Sequence, residues 1–178
     1  NGEPTSAPEF ADAVERVASV LESFGLRGKL MVRLITNGSL MHRPEVQRGI
    51  KLLGELRGEV WFKIDRVESA DAAEVNGVPI QVEKIARHLE IFAGLASTWV
   101  QTCWFALDGQ APDTSARDAY CALLQPLAGQ LAGIHLYGLA RPSMQPAAPR
   151  LSRLSSDELT AFAEEIQEKT DIRVMVSP

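Results

Sequence analysis

The 178-residue sequence is short of several things, and each shortage narrows what it can be. It has two cysteines, Cys103 and Cys121, each inside an apolar stretch. Their spacing fits no zinc or thioredoxin pattern, so they read as small buried hydrophobes of a reducing cytoplasm. It has three histidines, His42, His88 and His135, with no ligand spacing among them. It has no excess of positive charge: the net charge is −5, which argues against a general nucleic-acid surface. Arg141, Arg150 and Arg153 nevertheless lie close together in sequence and leave room for a local basic patch. No apolar run approaches the ~18 residues of a membrane span. No signal peptide is visible. No Gly-x-Gly-x-x-Gly and no phosphate-binding loop are present, which lowers the case for a dinucleotide fold.

What is present is a core. Hydrophobic residues make up 46% of the chain, enough for one folded domain of this length. Phe10, Val14, Val17, Leu21 and Phe24 recur at spacings of four and three, so 8–24 reads as an amphipathic helix. Lys29 to Thr36 reads as a buried strand. Helix 44–56 follows, with Val46, Ile50, Leu53 and Leu56 on one face, and then strand 59–65. Residues 66–79 have no clean period and contain Asn76-Gly77, a loop signal. Helix 81–93 turns Ile85, Leu89 and Phe92 inward. Strand 98–107 is rich in aromatic and β-branched residues. Helix 115–131 carries Pro126, which should kink or divide it. Strand 133–139 precedes a Pro-, Arg- and Ser-rich loop over 141–153. Ser155 with Glu158 forms a capping box, and Leu154 with Leu159 a hydrophobic staple, so a helix starts there. Strand 171–176 ends the chain.

Strict alternation of apolar strands and helices means a parallel sheet with helices packed outside. A partial (β/α) barrel and a doubly wound open sheet both satisfy it. In either, the site lies at the C-terminal ends of the strands. Those ends supply Gly2, Glu3, Pro4 and Thr5 before the first helix; Thr36, Asn37, Gly38 and Ser39; Lys63 and Asp65; Gln101 and Asp108; and Tyr137 and Arg141. Strand alternation puts Lys63 and Asp65 on one face and Phe62 and Ile64 on the other. A lysine and a carboxylate facing an interior are costly unless paired or solvated, so this is either a structural ion pair or a ligand-binding pair.

These segments, in this order, resemble the core of radical S-adenosylmethionine enzymes. Gly2-Glu3-Pro4-Thr5, Ile35-Thr36-Asn37-Gly38-Ser39-Leu40 and Lys63-Ile64-Asp65 carry the likeness. Asn76-Gly77-Val78-Pro79, Val100-Gln101-Thr102 and Leu136 to Pro142 are similar to the iron–sulfur oxidoreductase branch related to wyosine biosynthesis. The resemblance implies a partial (β/α) barrel of parallel strands, truncated at the N-terminus, as a single domain over 1–178. It implies that Gly2, Glu3 and Pro4 receive the methionine amino group of the cofactor, and that Asn37 and Ser39 lie beside it. Lys63, Asp65 and Gln101 would hold the ribose hydroxyls and the carboxylate, with the backbone around Leu139 and Ala140 near the adenine and Arg141 a further cofactor-binding residue. Family members usually place a further glycine where Asn1 stands, and many have serine where Lys63 stands.

One departure is decisive for the expected chemistry. The family holds a 4Fe-4S cluster on a Cys-x-x-x-Cys-x-x-Cys loop, and this sequence has none. The expectation is therefore a fragment, inactive alone. Its cytoplasmic parent would cleave S-adenosylmethionine reductively with an electron donor, generating a deoxyadenosyl radical. The substrate is not legible, and an unpaired apolar edge at Leu30 to Ile35 predicts a dimer. Two other readings compete: a non-catalytic α/β binding domain, and a Schiff-base lyase using Lys63. The adjacent Asp65 argues against the lyase, because a nearby carboxylate favours charged lysine.

Overall fold

The apolar strand segments pair in parallel, and the helices between them carry the chain back each time. The computed structural model describes residues 2–67, 81–140 and 147–177. Helix α1 (Phe10–Ser23) leads to β1 (Arg33–Thr36), α2 (Pro44–Glu55) to β2 (Glu59–Lys63), and α3 (Val82–Leu95) to β3 (Ser97–Cys103). After a short β4 (Ala106–Leu107), α4 (Thr114–Leu124) leads to β5 (Gly133–Tyr137). A short β6 (Leu151–Ser152) precedes α5 (Ser156–Thr170) and β7 (Val174–Ser177). The main sheet has five strands in the order β1-β2-β3-β5-β7, all parallel. It is an α/β fold of the partial (β/α) barrel kind.

Strand alternation sorts the sheet into two unlike faces. Val60, Phe62, Val100, Ile134 and Leu136 point to one side, where they join Ile50, Leu53, Leu89, Phe92, Leu124 and Ile166 of the helices in a single core. Full burial of such side chains is worth roughly 1.5–3 kcal/mol each, so this layer holds the domain together. The buried Tyr120 hydroxyl is satisfied by Thr102 Oγ1 at 2.6 Å. The other face has no helix over it among the described residues. It shows Arg33, Ile35, Trp61, Lys63, Gln101, Cys103, His135, Tyr137 and Met175, all exposed or half-buried.

Local signals agree with the elements formed. The Ser155–Glu158 capping box is complete. Helix α4 stops at Leu124, and Pro126 sits in the 3-10 turn Gln125–Leu127 that follows. No described helix is long and apolar enough to cross a membrane.

Three expectations are corrected. The apolar run 29–36 is not a buried strand: only Arg33–Thr36 pairs, and Leu30 and Met31 are 53% and 49% exposed. Among the described residues β1 is an edge strand, so one flank of it lacks a neighbour. On α1, Phe10 and Leu21 are buried but Val17 and Phe24 are 40% and 75% exposed. This helix packs chiefly against α2, so its buried stripe is narrower than its apolar one. Residues 98–107 are not one strand. The main strand ends at Cys103, and Ala106–Leu107 turns away to pair antiparallel with Leu151–Ser152, inside the stretch expected to be loop.

Candidate functional site

The first strand end is braced by a carboxylate. Glu3 caps the 3-10 turn Pro4–Ser6. Its Oε1 accepts from the Thr5 backbone N–H at 3.1 Å, the Thr5 hydroxyl at 2.7 Å and the Thr36 hydroxyl at 2.5 Å. Its Oε2 accepts from the Asn37 N–H at 2.8 Å. The Thr36 oxygen also accepts from the Gly38 N–H at 3.0 Å, and Asn37 Oδ1 accepts from the Ser39 N–H at 2.9 Å. The loop before α1 is thus tied to the turn after β1. Gly38 has φ +67°, and a Cβ there would run into the Phe62 ring, so glycine is required twice over. Gly2, Pro4, Asn37 and Ser39 remain exposed.

The next two strand ends build a polar row on the open face. Lys63 and Gln101 are register partners, as are Gln101 and His135. Lys63 Nζ lies 3.6 Å from Asp65 Oδ2, and Asp65 Oδ1 accepts from the Cys103 N–H at 2.9 Å. Gln101 Oε1 is buried and has no hydrogen-bond partner among the described residues. A buried amide oxygen left unsatisfied costs about 1–3 kcal/mol, so its retention calls for a donor from elsewhere. Burial, and then the Asp65 charge, push the Cys103 thiol up to about 12. The same causes raise Tyr137. Both stay protonated near neutrality, leaving Lys63 and Asp65 as the formal charges of this row.

An aromatic floor lies one layer towards the strand N-termini. The His135 ring sits 4.3 Å from Trp61 and 4.4 Å from Trp99, centroid to centroid. Arg33 lies over Trp61 at 5.3 Å and Arg173 over Trp99 at 5.6 Å. Glu59 accepts from Arg33 at 2.8 Å and from the Trp61 indole at 3.2 Å.

The structure therefore brings Lys63, Asp65 and Gln101 into one cluster, with Glu3, Asn37 and Ser39 at the neighbouring strand end. Leu139 is half-buried past the end of β5, and the carbonyl of Ala140 accepts from Arg153 at 2.9 Å. Arg141 and the Asn76 to Pro79 segment lie outside the described residues. Asp108 is drawn away from the site into a bidentate pair with Arg150. Cys103 faces the open side and Cys121 is buried on the helix side, so the two cannot serve one metal. Among the described residues, no group of three or more His, Cys, Asp or Glu could hold a metal ion. A hollow of about 1110 Å³ lies elsewhere, against α3, lined by His42, Lys84, Arg87 and His88. Among the described residues its lining has no unpartnered buried polar atom, so the open face is the better candidate. Sequence reasoning missed His88, whose Nδ1 lies 2.8 Å from the Gly38 carbonyl. Its only signal was a polar residue in the apolar stripe of Ile85, Leu89 and Phe92.

No family model and no curated protein matches the sequence. A solved structure does match the fold. It is a radical SAM methyltransferase from Sphaerobacter thermophilus, with a TM-score of 0.57 and 15% identity over 82% of this chain. The present chain spans 39% of that protein's length. At this identity the likeness establishes a shared fold.

Proposed function

We propose that the open face at the C-terminal ends of β1, β2 and β3 binds S-adenosylmethionine, as part of a radical S-adenosylmethionine enzyme. The observation that carries this is the buried Gln101 Oε1, without a partner among the described residues, beside the Lys63–Asp65 pair. A ligand hydroxyl donating to that oxygen satisfies it. Asp65 Oδ2 takes a second hydroxyl, and Lys63 takes a carboxylate. The carboxylate of Glu3 is already committed to Thr5, Thr36 and Asn37, so a ligand amine meets backbone carbonyls of the 2–4 loop instead. The backbone around Leu139 and Ala140 belongs, on this reading, to the adenine end, and Arg141 is a further cofactor-binding candidate. The likeness in fold to a radical SAM methyltransferase supports the assignment.

The residues fit the sulfonium cofactor and do not fit the 4Fe-4S cluster. In this proposal the cluster loop belongs to residues outside this chain, and the chain alone is inactive. On this reading the parent reaction is the reductive cleavage of S-adenosylmethionine, with an electron donor as partner. The assignment to the wyosine-related branch rests on the sequence segments alone. The apolar edge at Leu30, Met31 and Ile35 is proposed to pair two copies, which light scattering tests: a monodisperse monomer removes that idea.

Titration calorimetry tests the binding itself. S-adenosylmethionine should bind with one site per chain, and Gln101→Ala should weaken it about tenfold, the worth of one well-made hydrogen bond. Equal affinity in both proteins, or no heat for the wild type, would refute the assignment.

A further inference from the structure

We propose that His88 is a positioning residue for the Asn37–Gly38–Ser39 turn, and through it for whatever the turn and the Glu3 loop bind. The positioning stands on geometry alone; only the ligand's identity rests on the reading above.

His88 lies in the middle of α3 and is 6% exposed. Its Nδ1 is 2.8 Å from the Gly38 carbonyl oxygen. A carbonyl can only accept, so Nδ1 carries the hydrogen. One helical turn later on the same face, Phe92 packs edge-on against Phe62 at 5.2 Å. Phe62 in turn fills the space where a Gly38 side chain would be. Helix α3 therefore acts on this glycine twice, directly by a hydrogen bond to its carbonyl, and through Phe92 by backing the Phe62 ring of β2 that lies under its Cα. The Gly38 N–H is held from the other side by Thr36, which donates to Glu3. A continuous line of bonds runs from Glu3 through Thr36 and Gly38 to His88. It joins the loop before α1 to a helix that begins some eighty residues later in the chain.

The surroundings keep this ring neutral. Burial pulls the His88 pKa down, against the Gly38 bond, and Lys84, Arg87 and His42 pull it the same way as burial. The His42 ring stacks 6.4 Å away. Glu83 is the acid among the residues lining the adjoining hollow. A neutral ring with its hydrogen committed to Gly38 has one tautomer and one orientation.

Two measurements on the whole chain test this. In the wild type, nitrogen-15 NMR should find His88 in the Nδ1–H tautomer; an Nε2–H tautomer overturns the proposal. The second compares His88→Asn, whose amide nitrogen can replace Nδ1, with His88→Leu, which fills the space without a donor. His88→Asn should leave the Asn37, Gly38 and Ser39 amide resonances near their wild-type positions, and His88→Leu should move them. Unmoved resonances in His88→Leu overturn the proposal. If His88→Leu does not fold, the wild-type tautomer decides alone. S-adenosylmethionine affinity should fall about tenfold in His88→Leu and recover in His88→Asn. If the wild type does not bind S-adenosylmethionine while the resonances behave as stated, the functional reading fails and the positioning role stands.

Discussion

The carboxylate of Glu3 accepts from the hydroxyl of Thr36 at 2.5 Å, across 33 positions of chain. Thr36 is 1% exposed, so this bond sits where water does not compete. Replacing Glu3 by Gln puts an amide N–H against a donor at one of the two oxygens. We expect a loss of about 1–3 kcal/mol, read as a lower urea midpoint at unchanged slope. A midpoint equal to wild type would show that the brace does not hold the loop.

Gly38→Ala should be among the more damaging single substitutions in the chain. The left-handed backbone alone costs roughly 1–2 kcal/mol for a residue with a Cβ. The Phe62 ring, which overlaps the place of the added Cβ, must also move away. In a Phe62→Leu background the steric part should shrink and the backbone part remain, which a double-mutant cycle separates.

Gln101→Leu should split stability from binding. It removes a buried acceptor that lacks a partner among the described residues, so stability should hold or rise by up to about 1–2 kcal/mol. Affinity for S-adenosylmethionine should fall at the same time. Destabilisation in urea would mean that the oxygen has a structural partner.

Both thiols should be sluggish in the folded chain. Burial, then Asp65, push Cys103 up to about 12, and burial also raises Cys121. At pH 8 the Cys103 thiolate fraction is then lower by roughly a thousandfold than that of a thiol of ordinary pKa. Iodoacetamide labelling should be slow in buffer and fast in urea. Rapid labelling of native Cys103 would contradict the burial.

Stability should fall on mild acidification. Burial lowers the pKa of His88 and of His135, against the pull of Gly38 on one and of Glu59 on the other. An unfolded chain then takes up these protons first, near pH 6.5, and the folded state follows only at lower pH. The contribution is complete above about pH 6.5 and declines as pH falls towards the folded values. Urea midpoints at pH 7.5 and 5.5 should differ in that sense, and His135→Asn should flatten the difference. Burial works against ionised Glu59, but hydrogen bonds from Arg33 and Trp61 prevail and lower its pKa. Its contribution is lost only as pH falls below the ordinary carboxylate value.

The elements were largely legible from local chemistry. The capping box at Ser155, the proline at 126 and the stripe Val46, Ile50, Leu53 and Leu56 act within a few residues, and each forms as expected. Long-range facts were not legible. Apolar spacing says which side chains can be buried, and says nothing of whether a neighbour arrives. Phe24 and Leu30 therefore read as core and are exposed. The break after Cys103 depends on a partner at Leu151, some fifty residues on. For the candidate site, strand alternation placed Lys63 and Asp65 on one face, and the reading of strand ends added Gln101. Neither could show that the oxygen of Gln101 lacks a partner among the described residues or that Glu3 is tied to Thr36, because both are set by contacts between distant segments.

The pair of indoles under the polar row has an optical consequence. Trp61 and Trp99 precede Lys63 and Gln101 by two residues on the same strands and face the same side. The third tryptophan, Trp104, is stacked on Phe162 in the core at 4.2 Å and is shielded from that face. A molecule settling on the row displaces water above the half-buried Trp61, while Trp99 is already covered and Trp104 lies in the core. The chain carries a built-in emission signal for occupancy of its open face, with an internal reference in the same spectrum.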